Sequence, residues 1–255
     1  MTTQVREVRS QPATQPHGGA VPAVGRIVAY GDFTCPWSYL MWRRTELLRA
    51  VGVAVDWRSV EHDPWHTLRP LDVTDRFGHL RDELPKVEQH LLPGEVLPRT
   101  LAGFVPFTGA ATSGYAEAYV AGVAAPVRRL LFEAFWRRGV DLNDARVVRT
   151  LLVDQVRRGT STTELLSLWG YALDVTGGPI THAGWQTVRD WRTAWTATAA
   201  GDETVAGVVP VVIVDGEAPV HGVAAVDRVG SLVADAGLDP CGVDADRDPA
   251  DVGAA

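Results

Sequence analysis

Apolar residues dominate "RIVAY" (26–30), which reads as a short buried strand. From Pro36 the spacing changes. Trp37, Leu40, Met41, Leu47, Leu48 and Val51 supply one apolar face of a helix that Gly52 should stop. "VAVDWRSV" (53–60) then alternates Val53, Val55 and Trp57 against Ala54, Asp56 and Arg58, the period of a strand. A strand, a helix and a strand in so short a stretch make a βαβ unit, with parallel strands and a right-handed crossover.

The middle of the chain keeps helical spacing in four stretches: 124–139, 144–159, 161–173 and 182–199. Ser161 and Glu164 form a capping box for the third. Residues 75–110 read as less regular, divided by Pro85, Pro93, Pro98 and Pro106. Strand character returns at "VPVVIVDG" (209–216), and "APVHG" (218–222) can fold back through an Asp215-Gly216 turn. A last helix over 224–237 carries Val226, Val229 and Val233 on one face.

The order is therefore βαβ, a helical block, then ββα. Neither half makes a sheet alone, and together they predict an α/β protein with a four-stranded mixed sheet and a large helical insertion. The expected division places residues 25–75 and 205–238 in the sheet domain and 76–204 in the insertion. A flexible arm over 1–24 and a flexible acidic tail over 239–255 flank them.

Composition narrows the function classes. The 255 residues carry 24 basic and 31 acidic side chains, a net charge of −7 that argues against a nucleic-acid surface. No run approaches the roughly 18 apolar residues of a membrane span, and residues 1–25 show no apolar core of signal-peptide length. The two cysteines, Cys35 and Cys241, lie far apart in different surroundings. Such usage fits a reducing cytosol better than a disulfide framework, so a cytoplasmic enzyme is expected.

The candidate chemistry sits in "TCPWS" (34–38). Proline is favoured at the first helical position, which makes Cys35 the N-cap of the helix that Pro36 begins. There the helix dipole and unpaired N–H groups favour thiolate, and such sites lower a cysteine pKa to about 3.5–7.5 from about 8.5. Ser38 can add a hydroxyl donor. The competing reading is that Cys35 is a small buried residue with no chemistry.

"YGDFTCPWSYL", the order of elements and "GVVPVVIVDGEAPVHG" together resemble the DsbA-type branch of the thioredoxin superfamily, over residues 25 to about 238. The resemblance implies a thioredoxin-like fold, with Cys35 as nucleophile and Pro210 as a cis-proline against its sulfur. It also implies Val209 as the backbone edge on which a thiol-bearing substrate docks, beside Pro36 and Trp37. Ser38 departs from the dithiol pattern, because a hydroxyl cannot resolve a mixed disulfide. The same departure resembles the 2-hydroxychromene-2-carboxylate isomerases and kappa-class glutathione transferases, whose S-P-x-S-type motif holds the thiolate of bound glutathione.

Two mechanisms follow from these resemblances. Either Cys35 attacks a disulfide or a glutathione- or mycothiol-type adduct, or a thiol cofactor or Cys35 itself adds to an electrophilic double bond and departs after isomerisation or transfer. A third reading is a silent thioredoxin-fold module that holds a peptide or protein in the groove. No covalently bound cofactor is implied. The expected partners are a small thiol or an electrophilic small molecule, with a homodimer kept open and no nucleic acid or membrane.

Other candidates carry weaker signals. His62, Asp63 and His66 have metal-like spacing, but Pro64 interrupts them and no further ligand is convincing, so no metal is expected. Trp65, like His62, can shape the substrate pocket. His221 reads as an exposed turn residue and Ser113 as a helix cap, in a segment (107–119) that overhangs the site by position. Trp169, Trp185, Trp191 and Trp195 read as core, and Trp37 as partly exposed beside the sulfur. No Ser-His-Asp order or phosphate-binding glycine loop stands out.

Overall fold

The structure is a computed structural model that describes residues 24–62, 73–98, 105–160 and 168–241, with only the backbone for 73–79 and 81. Strand β1 (Arg26–Gly31) leads through a short turn into helix α1 (Pro36–Ala50), and β2 (Ala54–Ser59) follows. Gly52, at φ +97°, makes the left-handed turn that ends the helix. β1 and β2 pair in parallel, with Ala29 opposite Trp57 and Gly31 opposite Ser59. Strand β3 (Val211–Val214) pairs antiparallel with β1, and β4 (Val220–His221) with β3. The sheet order is β2-β1-β3-β4.

Asp215 and Gly216 both have positive φ, as a primed turn needs, and the Glu217 N–H closes it on the Val214 carbonyl at 2.8 Å. The Asp215 carboxylate also accepts from the N–H groups of Gly25 and Arg26, tying the start of β1 to the end of β3. Helix α7 (Gly222–Asp235) buries Val226, Val229 and Val233 against α1.

Between β2 and β3 lie α2 (Val73–Glu88), α3 (Gly109–Val120), α4 (Ala124–Arg138), α5 (Ala145–Val156) and α6 (His182–Thr198). Phe132 centres their junction with the sheet domain. It stacks on Trp42 with centroids 4.7 Å apart and meets Phe33 and Trp57 edge-on. Among the described residues, no helix is long and apolar enough to cross a membrane.

Several expectations are corrected here. Residues 73–88 form a regular helix despite Pro85, because Leu80, Leu84 and Val87 recur at helical spacing and pack on the core. That packing outweighs the one hydrogen bond proline forgoes near a helix end. The helix expected over 161–173 has its capping box outside the described residues. Its described part, 168–173, is turn and irregular chain, with Gly170 left-handed at φ +68°. Trp169 and Trp185 are exposed, at 59% and 51%, while Trp191 and Trp195 are buried as expected. The buried face of α6 runs through Gly184, Trp191 and Trp195, which turns Trp185 outward. Ser113 lies inside α3, whose N-cap is Thr108.

Candidate functional site

β1 delivers the chain into the sharp turn 31–35, and Cys35 caps α1 with extended dihedrals (φ −80°, ψ 124°) and Pro36 next to it. The turn is held from several sides. The Cys35 N–H donates to the Asp32 carbonyl at 3.3 Å, and Phe33 packs against Tyr115 and Phe132. The Trp136 indole N–H donates to the Phe33 carbonyl at 2.9 Å. Gly31 passes so close that a Cβ there would lie 2.5 Å from Trp57 Cζ2 and 3.0 Å from Ser38 Oγ. Gly31→Ala is therefore expected to cost about 1–3 kcal/mol, read as a lowered urea midpoint at constant slope.

Ser38 is fully buried, and its Oγ accepts the Asp32 N–H at 3.2 Å. Cys35 Sγ lies 3.9 Å from the Val209 carbonyl oxygen. The Val209–Pro210 bond is cis, and two hydrogen bonds hold this segment: Trp195 Nε1–H to the Val208 carbonyl, and Gly222 N–H to the Pro210 carbonyl. The fold thus brings Cys35, Pro36, Ser38, Val209 and Pro210 together. Trp37, expected to be partly exposed, is 8% exposed, because His90 covers it edge-on with ring centroids 5.3 Å apart. Trp65, Asp63 and His66 lie outside the described residues.

The charge state of the sulfur differs from the expectation of a depressed thiol. Burial pushes the Cys35 thiol up to about 12; hydrogen bonds from Ser38 pull it down, and Asp32 and Glu83 push it further up. The helix N-terminus favours the anion only locally, whereas burial, with the Asp32 and Glu83 carboxylates acting on the sulfur, penalises it.

Asp32, three residues before the cysteine, is the residue that sequence reasoning missed. Its buried carboxylate accepts from Thr34 N–H and hydroxyl, from His62 N–H at 3.2 Å and Nδ1 at 2.8 Å, and from the Thr108 hydroxyl at 3.1 Å. Burial opposes its charge, but His62 and the N–H donors outweigh that and hold the Asp32 carboxyl below its usual range. Glu61 accepts the Thr108 N–H at 3.2 Å; burial and then Asp32 push its carboxyl up. The one signal available was a carboxylate at a strand–helix turn, within the quoted motif.

The remaining candidates fall elsewhere. His221 is half-buried in β4, not exposed in a turn, with Nε2 3.0 Å from the Thr198 hydroxyl. Cys241 is exposed and hydrogen-bonds the Gly94 carbonyl at 3.6 Å, and it forms no disulfide with Cys35. Among the described residues, no three His, Cys, Asp or Glu are grouped to hold a metal ion.

A mixed sheet carrying a cysteine at the N-cap of its first helix, opposite a cis-proline, defines a thioredoxin-fold protein. Residues 26–155 match the family model of the DSBA-like thioredoxin domain, and the chain belongs to that family. Three solved structures share the fold. A probable DsbA oxidoreductase from Streptomyces coelicolor has 18% identity over 84% of this chain and 91% of its own, with a TM-score of 0.50. A 2-hydroxychromene-2-carboxylate isomerase has 18% identity over 83% and 94%, with a TM-score of 0.52. The cytosolic disulfide reductase DsbM from Pseudomonas aeruginosa has 12% identity over 82% and 95%, with a TM-score of 0.53. No curated protein matches the sequence. At these identities the likeness carries the fold, not the reaction.

Proposed function

We propose that this protein is a monothiol oxidoreductase in which Cys35 exchanges disulfides with a small thiol in a reducing cytoplasm. The observation that carries this reading is the Cys35 sulfur at the α1 N-cap, 3.9 Å from the Val209 carbonyl, with Ser38 where a resolving thiol would stand. The sulfur loses its proton and attacks one sulfur of a disulfide R–S–S–R′. The S–S bond breaks, R′S⁻ leaves and takes up a proton, and Cys35 is left as Cys35–S–S–R. A second thiol, R″SH, attacks that bond, releasing R–S–S–R″ and restoring Cys35. Glutathione or mycothiol supplies the small thiol, and the Val209–Pro210 segment docks the incoming disulfide beside Pro36 and Trp37.

A second reading is favoured by the burial that keeps the resting sulfur protonated. Here the pocket seats the sulfur of a thiol cofactor, which adds to an electrophilic double bond, lets it rotate and departs. Incubation with glutathione disulfide, or its mycothiol counterpart, followed by intact and peptide mass measurement separates the two. The first reading expects one thiol residue on Cys35, removed by added reduced thiol. Addition at Cys241 alone, or none, overturns it.

A further inference from the structure

Asp32 joins three parts of the site. Its N–H donates to Ser38 Oγ, its carbonyl accepts the Cys35 N–H, and its carboxylate accepts both the N–H and Nδ1–H of His62. It is 2% exposed, whereas the His62 side chain is 38% exposed and can exchange protons with water. A carboxylate on Nδ1 fixes that tautomer and makes Nε2 the nitrogen that titrates. Among the described residues, further ionisable groups that act on Cys35 or on Asp32's neighbour Glu61 are Glu83 on α2 and Arg192 on α6, with Glu61 itself just after β2. A thiolate formed here would add a further negative charge beside the Asp32 and Glu83 carboxylates unless a proton is gained nearby.

We propose that the Asp32–His62 pair sets the charge beside Cys35, His62 gaining a proton as the sulfur loses one, so that thiolate forms without adding net charge to the buried site. The inference rests on the reading of Cys35 as the nucleophile. His62 acts through Asp32 and is a positioning residue for the sulfur's charge. The resting state, thiol with neutral imidazole and carboxylate, and the reactive state, thiolate with imidazolium and carboxylate, hold the same protons and the same net charge. Such a coupled pair loses its protons in two macroscopic steps, so some thiolate appears already in the range where histidine titrates.

The test is the pH dependence of Cys35 alkylation by iodoacetamide, followed on the Cys35 peptide so that Cys241 does not contribute. The unaltered protein should show two rises, the first in the histidine range. His62→Asn should lose that first rise and react at least about tenfold more slowly near pH 7, the equivalent of one pKa unit or more. Asp32→Asn should react faster than the unaltered protein, since it removes the carboxylate charge facing the sulfur. A purely structural role for His62 would instead loosen the site and speed alkylation in His62→Asn. Profiles of His62→Asn and the unaltered protein that superimpose, or a faster His62→Asn, overturn this inference and leave Cys35 chemistry standing. A Cys35 that resists alkylation from pH 5 to 10 and forms no mixed disulfide removes the nucleophile reading itself, and this inference with it.

Discussion

Replacing Cys35 by Ser is expected to abolish thiol–disulfide exchange, by at least about a thousandfold, while leaving the fold intact. The loss follows from the chemistry, since an alkoxide is not formed at neutral pH and a hydroxyl oxygen makes no disulfide. Stability should change by less than about 1 kcal/mol, because a serine hydroxyl can reproduce the contacts made by the sulfur. Those contacts are Ser38 and the Val209 carbonyl, and the cap itself uses no side-chain hydrogen bond from residue 35. The variant also separates the two readings of the site. If turnover of an electrophilic double bond by added thiol survives in Cys35→Ser, the pocket holds a cofactor sulfur and Cys35 is not the reagent.

The framework of this site was legible in the sequence because its signals are local. A proline after Cys35 marks a helix start, alternation over 53–60 marks a strand, and Asp215-Gly216 marks a turn; each depends on a few adjacent residues. The sulfur's charge state was not legible for the opposite reason. The helix N-terminus is read from Pro36, but burial and the approach of Asp32 and Glu83 depend on how distant elements close over the motif. Asp32 illustrates the limit. Its carboxylate is defined by His62, 30 positions on, and by Thr108, 76 positions on. The pairing appears only when the exit of β2 and the start of α3 meet beneath the turn. Helix α2 was hidden by Pro85 and the prolines that follow it, although Leu80, Leu84 and Val87 already carried the helical period. Of the α6 tryptophans only Trp185 was misassigned, because spacing identifies a face but not the side on which the neighbours sit.

Arg44→Ala is expected to give the largest loss of stability, about 3–5 kcal/mol, the usual cost of removing one partner from a buried ion pair. For a chain of this size that corresponds to a melting temperature lower by roughly 6–20 °C. Arg44 is 1% exposed in the middle of α1. Its guanidinium donates from Nε and Nη2 to the two Glu95 carboxylate oxygens, at 2.9 and 2.7 Å. Nη1 donates to the Val226 carbonyl at 2.8 Å and Nη2 also to the His90 carbonyl at 2.5 Å. One side chain therefore fastens α1 to α7 and to the segment after α2. Truncation would leave Glu95, 6% exposed, as a buried carboxylate without its cation, and two carbonyls without their donor. Glu95 keeps the Leu92 N–H at 2.7 Å, which is too little to compensate a full charge. Adding Glu95→Gln to Arg44→Ala should accordingly recover part of the loss, since the stranded charge goes with it. Thermal and urea unfolding of the two single variants and the double variant measure that coupling. A double variant no more stable than Arg44→Ala would show that the carbonyl contacts, and not the ion pair, carry the effect. The consequence reaches the site because His90, whose carbonyl Arg44 holds, is also the ring that covers Trp37. Loss of Arg44 should therefore expose Trp37 beside Cys35, with a red-shifted tryptophan emission that precedes global unfolding.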